Sequence, residues 1–179
     1  MSHEIRTPMN AIIGMTQLVL DSGPSAEHRD YLEIIRSSGD ALLVIINDIL
    51  DFSKIEAGQL ELREEPFELR ECVEEAIDLI SLRVAEKRLE LSCLLVPELP
   101  QRILGDGPRL RQVLINLLSN AVKFTERGEV GLQIEVQALS GDRVELHFSV
   151  RDTGIGIAPE GQARLFRSFS QVDASTSRK

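Results

Sequence analysis

The chain is short of positive charge, of cysteine and of long apolar stretches, and each shortage closes off a class of function. Lysine and arginine number 20 against 29 aspartates and glutamates, for a net charge of −9. Such a surface repels a phosphate-rich polymer, which sets nucleic acid aside as a partner. No apolar run approaches the roughly 20 residues that span a bilayer, and Met1 is not followed by a basic and apolar leader. There is thus no membrane segment in this piece, which is expected to be soluble and cytoplasmic. The two cysteines, Cys72 and Cys93, lie far apart with no CxxC pattern, and read as reduced packing thiols. What the chain does have is 42% hydrophobic content over 179 residues, enough for a real core. The motif layout favours two domains.

From Thr7 to Asp21 apolar residues recur at Met9, Ile12, Ile13, Val19 and Leu20, and Ser22-Gly23-Pro24-Ser25 breaks the pattern before it restarts. A helical hairpin is expected. Its second arm places Tyr31, Ile35, Ser38, Leu42, Ile45, Ile49 and Phe52 at alternating spacings of four and three, a heptad seam, and Gly58 suits the position just past the helix end. Such a seam asks for more partners than one hairpin supplies, so two hairpins in a homodimeric four-helix bundle are expected. The plainer alternative is a seam packed on the rest of its own chain. The arms are unequal and two residues precede His3, so the first arm is expected to have lost its beginning, with Met1 an internal methionine of a longer protein.

The segment His3-Glu4-Ile5-Arg6-Thr7-Pro8 has the makings of a phosphate acceptor. A histidine that attacks phosphorus must be neutral with one ring nitrogen free, and Glu4 can accept a hydrogen bond from the other nitrogen and favour that tautomer. Pro8 has no N–H, so the carbonyl of Glu4 loses its helical partner and the helix loosens just after the histidine. Thr7 lies one helical turn beyond His3 on the same face, where its hydroxyl could orient a water. Two plainer readings remain open: His3 as a terminal residue on a frayed helix, and Thr7-Pro8 as an N-cap followed by an N1 proline.

Past Gly58 the heptads stop, which puts a domain boundary between residues 58 and 59. Leu60 and Leu62 suggest a strand; Leu69, Val73, Ala76, Ile77, Ile80 and Val84 an amphipathic helix; and 89–96 a second strand. Residues 106–124 read as another helix, followed by alternation at Val130, Leu132, Ile134 and Val136 and again at Val144, Leu146, Phe148 and Val150. Helices on one face of a mixed sheet follow.

On the second of these helices Leu110, Val113, Leu114, Leu117, Ala121 and Val122 form the apolar face, and Arg109, Gln112, Asn116, Asn120 and Lys123 line the other. A solvated face is the bland reading. Asparagine is a poor helix former, however, and Asn116, Asn120 and Lys123 make a line of oxygen donors ending in a cation, which suits a metal-bound triphosphate. Asp152 ends a strand pattern, where its carboxylate could accept a hydrogen bond from the amino group of adenine, and Gly154 and Gly156 would let the backbone approach a base.

Together, His3-Glu4-x-x-Thr7-Pro8, the asparagine segment 116–125 and Asp152-Thr153-Gly154-Ile155-Gly156 resemble a two-component sensor histidine kinase of the hybrid type. The resemblance implies an α+β multidomain fold: a dimerisation and histidine phosphotransfer domain at 1–58, and at 59–179 a truncated ATPase domain shared with gyrase, Hsp90 and MutL. It implies ATP and Mg2+, with Asn120 as metal ligand and Asn116 and Lys123 near the phosphates. Phe166 and Phe169 resemble the family's aromatic box, beside a polar lid segment, 170–179, whose Arg178 and Lys179 are counted with the nucleotide-binding residues. Thr7 would serve the phosphatase reaction, and a receiver domain of a response regulator would take the phosphate. The glycine-rich part of the lid and the last strands are not in this sequence, so a weak kinase is expected from this piece alone; its parent could be anchored in the inner membrane. Two rivals are an ATP-driven clamp of the Hsp90 type and a non-catalytic dimerising scaffold.

Overall fold

Gly23, at a φ of 76°, turns the chain between two antiparallel helices, α1 (Ser2–Asp21) and α2 (Ala26–Glu56), in the computed structural model, which describes residues 2–162 and Leu165. Ser25 caps α2 by accepting the His28 N–H at 3.4 Å. At the other end Gly58, at φ 64°, donates to Ile55, and Gln59 donates to Lys54 at 2.8 Å, a Schellman closure around the expected glycine. Chain contacts divide the protein into residues 1–62 and 63–179, so the division falls in the irregular stretch after Gly58.

Within the hairpin, α2 turns Leu32, Arg36, Gly39, Leu43, Ile46 and Leu50 toward lower exposure. Gly39 is buried because Ile13 fills the place of its side chain; a Cβ there would stand 2.9 Å from Ile13 Cγ1. Arg36 donates to Gln17 at 2.8 Å, and Arg6 to Asn47 at 3.0 Å. The expected heptad seam lies one position to the side. Its members Tyr31, Ile35, Leu42, Ile45 and Ile49 are 44–56% exposed, so α2 carries a covered stripe and a parallel bare one.

The second unit contains β1 (Glu65–Glu68), α3 (Leu69–Lys87), β2 (Glu90–Leu95), β3 (Arg102–Gly105), α4 (Gly107–Phe124), β4 (Glu129–Ser140), β5 (Arg143–Asp152) and a short turn of helix, α5 (Pro159–Gln162). The strand expected at Leu60 and Leu62 lies further on, at β1, where β3 offers an antiparallel partner; residues 59–64 have none and stay irregular. β2 pairs parallel with β4, and β4 antiparallel with β5, giving a mixed sheet in the order β2-β4-β5. A parallel pair needs a crossover, and β3 with α4 supplies it.

Helix and sheet periodicities converge on one core. Leu69, Val73, Ala76, Ile80 and Val84 of α3 meet Leu114, Leu118, Ala121 and Val122 of α4 and Val130, Leu132 and Ile134 of β4. Leu118 is wholly buried, whereas Val113 and Leu117, expected on the apolar face of α4, are 53% and 45% exposed. The buried stripe is narrower than the run of apolar letters. Cys72 is buried and donates to the Gly107 carbonyl at 3.4 Å, whereas Cys93 on the edge strand β2 is exposed, a correction to its expected packing role. Among the described residues no helix is long and apolar enough to cross a membrane.

Ile80 is 2% exposed and its neighbour Leu79 64%. Ile80→Ala should therefore cost about 2–5 kcal/mol in denaturant unfolding, and Leu79→Ala no more than about 0.5 kcal/mol. Similar losses at both would put the buried face of α3 elsewhere.

Candidate functional site

Helix α1 runs from Ser2 without a break through Pro8, so Thr7-Pro8 is not a helix start and the alternative of an N-cap with an N1 proline falls. The Glu4 carbonyl meets a proline nitrogen where an N–H would stand, which weakens that turn. Thr7, four residues after His3 on α1, is exposed. The side chains of His3 and Glu4 lie outside the described residues, as do Phe166, Phe169, Arg178 and Lys179. Of the other histidines, His28 holds the Ser25 hydroxyl through Nδ1 at 2.8 Å, and His147 is exposed on β5 opposite Glu135.

Helix α4 starts on Asp106, whose Oδ1 accepts the Arg109 N–H and whose Oδ2 accepts the Arg63 N–H, both at 3.1 Å. The Arg63 bond, followed by that of Arg109, holds this carboxyl below its ordinary value. The aspartate thereby starts α4 and ties the incoming chain to it. Gly107 follows because Phe67 covers it; a Cβ would lie 2.9 Å from the ring.

Along α4 the Arg109 guanidinium donates to Gln112 at 2.8 Å, and Asn116, Asn120 and Lys123 are exposed on the same side. No described side chain pairs with the carboxamides of Asn116 or Asn120, and the Lys123 ammonium stands 5.1 Å from the centre of the Phe124 ring. A neutral oxygen donor open to solvent, with a cation one turn away, fits a divalent ion that already carries phosphate oxygens.

The 152–156 loop joins this helix at its C-terminal end. Ile155 donates its N–H to the Phe124 carbonyl at 3.3 Å, and Gly154 lies so close that a Cβ would stand 2.4 Å from the same oxygen. Gly154 is thus required by the helix end itself. Gly156, with open space around it, is required by its φ of 67°. Asp152 Oδ1 accepts the Gly154 N–H at 2.9 Å, which shapes the turn. Thr153 locks it to β4, its hydroxyl accepting the Glu129 N–H at 3.0 Å and its own N–H reaching the Glu129 carbonyl. Asn120, Lys123 and the Asp152 turn, remote in sequence, therefore share one end of α4.

Two contributors escape sequence reasoning. Thr153 looks like a spacer in its motif. Lys87, at the end of α3, reads as an ordinary last-turn lysine, yet its ammonium donates to the carbonyls of Val122, Lys123 and Thr125 at 2.8, 3.0 and 3.1 Å. No local signal marks a contact across 35 residues or more.

Comparison with known proteins finds relatives for both parts of the chain. Residues 1–58 match the His Kinase A (phospho-acceptor) domain, and residues 105–179 the histidine kinase-, DNA gyrase B- and HSP90-like ATPase. Over all 179 residues the chain is 46% identical to the signal transduction histidine-protein kinase BarA of Escherichia coli K12, and 44% identical to the hybrid signal transduction histidine kinase L of Dictyostelium discoideum. It spans 20% of the former and 10% of the latter. The crystal structure of full-length ShkA in complex with AMPPNP superposes with a TM-score of 0.76 at 42% identity, over 96% of this chain and 36% of that one. The histidine kinase ThkA in complex with the response regulator TrrA gives 0.58 at 25% identity, over 94% of this chain and 48% of that one.

The lowered Asp106 carboxyl makes α4 sensitive to acid. The stability it contributes is complete above the ordinary carboxylate value of 3.8 and is lost as the pH falls through the lower folded value. Asp106→Asn keeps an acceptor but cannot titrate. In urea unfolding the native protein should exceed the Asp106→Asn variant at about pH 7 and converge on it in strong acid; a gap that persists there would remove the charge from the account.

Proposed function

Because this chain belongs to the histidine kinases through both of its domains, we propose that it is the autophosphorylating core of a hybrid sensor kinase. ATP is the phosphoryl donor, His3 the acceptor, and an aspartate on a response-regulator receiver domain the onward destination. The observation that supports this reading best is the junction of α4 with the 152–156 loop. It sets the open carboxamide of Asn120 and the Lys123 ammonium at the same helix end as the Asp152 turn.

In this reading Asp152 Oδ2 recognises the adenine amino group while Oδ1 keeps the turn, and Gly156 leaves room for the base. Asn116 and Lys123 face the phosphates. Magnesium, held at Asn120, would neutralise charge on the triphosphate. Glu4 accepts a hydrogen bond from one His3 nitrogen, so the lone pair of the other forms the bond to the γ-phosphorus as the bond to the bridging oxygen breaks and ADP leaves. Thr7, one turn on, orients a water for the phosphatase reaction, in which the water oxygen bonds to phosphorus and inorganic phosphate leaves. Phe166, Phe169, Arg178 and Lys179 complete the nucleotide-binding set. The need for ATP assigns this part of the protein to the cytoplasm.

We also assign the bare stripe of α2 to a homodimer. Its spacing is that of a coiled-coil seam, and isoleucines about half exposed at heptad positions ask for an identical partner. A clamp of the Hsp90 type would use the α4 junction but leave α1 and its His-Glu pair without a task. A non-catalytic scaffold gives no reason for the open carboxamides on α4.

His3→Gln in the whole protein should abolish acid-labile phosphate incorporation and leave nucleotide affinity intact, with the His28→Gln and His147→Gln variants still labelled. Full labelling of the His3→Gln protein would refute the acceptor. Ile45→Glu should convert dimer to monomer by sedimentation while the helix content of each hairpin persists, because the side chain is 54% exposed within its own chain. An unchanged dimer would place the interface on another face.

A further inference from the structure

A helix ends with carbonyls that have no N–H ahead of them, and the end of α4 has to place its own with care because the 152–156 loop rests there. Four consecutive carbonyls, Val122 to Thr125, are all satisfied. Phe124 accepts from Ile155, and the other three converge on the single ammonium of Lys87, from the last turn of α3. An ammonium has three donors and no acceptor, so this arrangement uses it completely. Its positive charge also lies at the negative end of the α4 dipole.

We propose that Lys87 is a positioning residue for the nucleotide site: by gathering these carbonyls it sets the turn of α4 that bears Asn120 and Lys123 and aims the Phe124 carbonyl at the Ile155 N–H. Lys87 need not touch nucleotide to govern its binding. Loss of the ammonium leaves three carbonyls to water and lets the last turn unwind. The Asp152 turn then loses the surface on which Gly154 and Ile155 rest. The cause is local, because Lys87 is exposed and takes no part in the apolar core.

The link to nucleotide affinity rests on the function proposed above, and the experiment separates the two. Amide hydrogen exchange is measured on the nucleotide-free full chain for the native, Lys87→Met and Lys87→Arg proteins, and affinity for magnesium AMPPNP is measured in parallel. In Lys87→Met the Thr125 and Ile155 amides should exchange roughly tenfold faster, the worth of a charge-assisted hydrogen bond, while those of β4 keep their native rates. Nucleotide affinity should fall by a similar factor, and Lys87→Arg should recover part of both. Native exchange at Thr125 and Ile155 in Lys87→Met would overturn the proposal. So would a uniform rise through β4, which would make Lys87 a general stabiliser, and so would faster local exchange with undiminished affinity. Native protein that binds no AMPPNP while Thr125 and Ile155 respond as expected would sink the nucleotide reading and leave Lys87 as the residue that sets the turn.

Discussion

The C-terminal turn of α4 is the point on which the second unit depends. A helix end exposes backbone oxygens that must be paired or hydrated, and here the pairing does more than close the helix. The Lys87 ammonium draws α3 to it, and the Ile155 amide draws in the loop that follows β5. Thr153 then ties that loop to the start of β4, next to Gly128, where a Cβ would come within 2.2 Å of the threonine hydroxyl. In this way α3 and the loop after β5 are both fixed to the end of α4, and the loop to the start of β4 as well.

This arrangement leaves Asn116 and Asn120, on the polar face of α4, out of the structural work. The structural work is done by backbone carbonyls at its end and by Leu114, Leu118, Ala121 and Val122 on its inner side. Asn116 and Asn120 contribute nothing to the core, and an exposed asparagine in a helix interior is a modest cost relative to alanine. The nucleotide role proposed for these residues would account for such a cost at solvent-facing positions with no described side chain as partner. At the far end Asp106 performs the matching service, accepting amides from its own helix and from Arg63.

The hairpin shows that one helix can carry two apolar edges. A heptad stripe repeated one residue over gives α2 two adjacent apolar edges. One is closed by α1 through the Ile13–Gly39 contact, and the other stays open with its isoleucines about half exposed. The proposed dimer would cover the open edge and place the α1 helices in a bundle rather than on a lone hairpin.

Much of this was legible in the residues. Periodicity located α1, α2, α3, α4, β4 and β5, Gly58 marked the end of α2, and the His-Glu-x-x-Thr-Pro, asparagine and Asp-x-Gly-x-Gly patterns named the family. These signals are local: a helix face, a cap or a turn is decided by neighbours three or four positions apart. The tertiary structure decided the rest. It chose which of two heptad stripes on α2 is covered, narrowed the apolar face of α4 to admit Leu118 and release Val113, moved the first strand to Glu65–Glu68 where β3 could pair with it, and brought Lys87 to the end of α4. Each of those outcomes depends on groups distant in sequence meeting across the core. Packing sets such meetings, and the same hydrophobic pattern is compatible with several of them until the elements lock together.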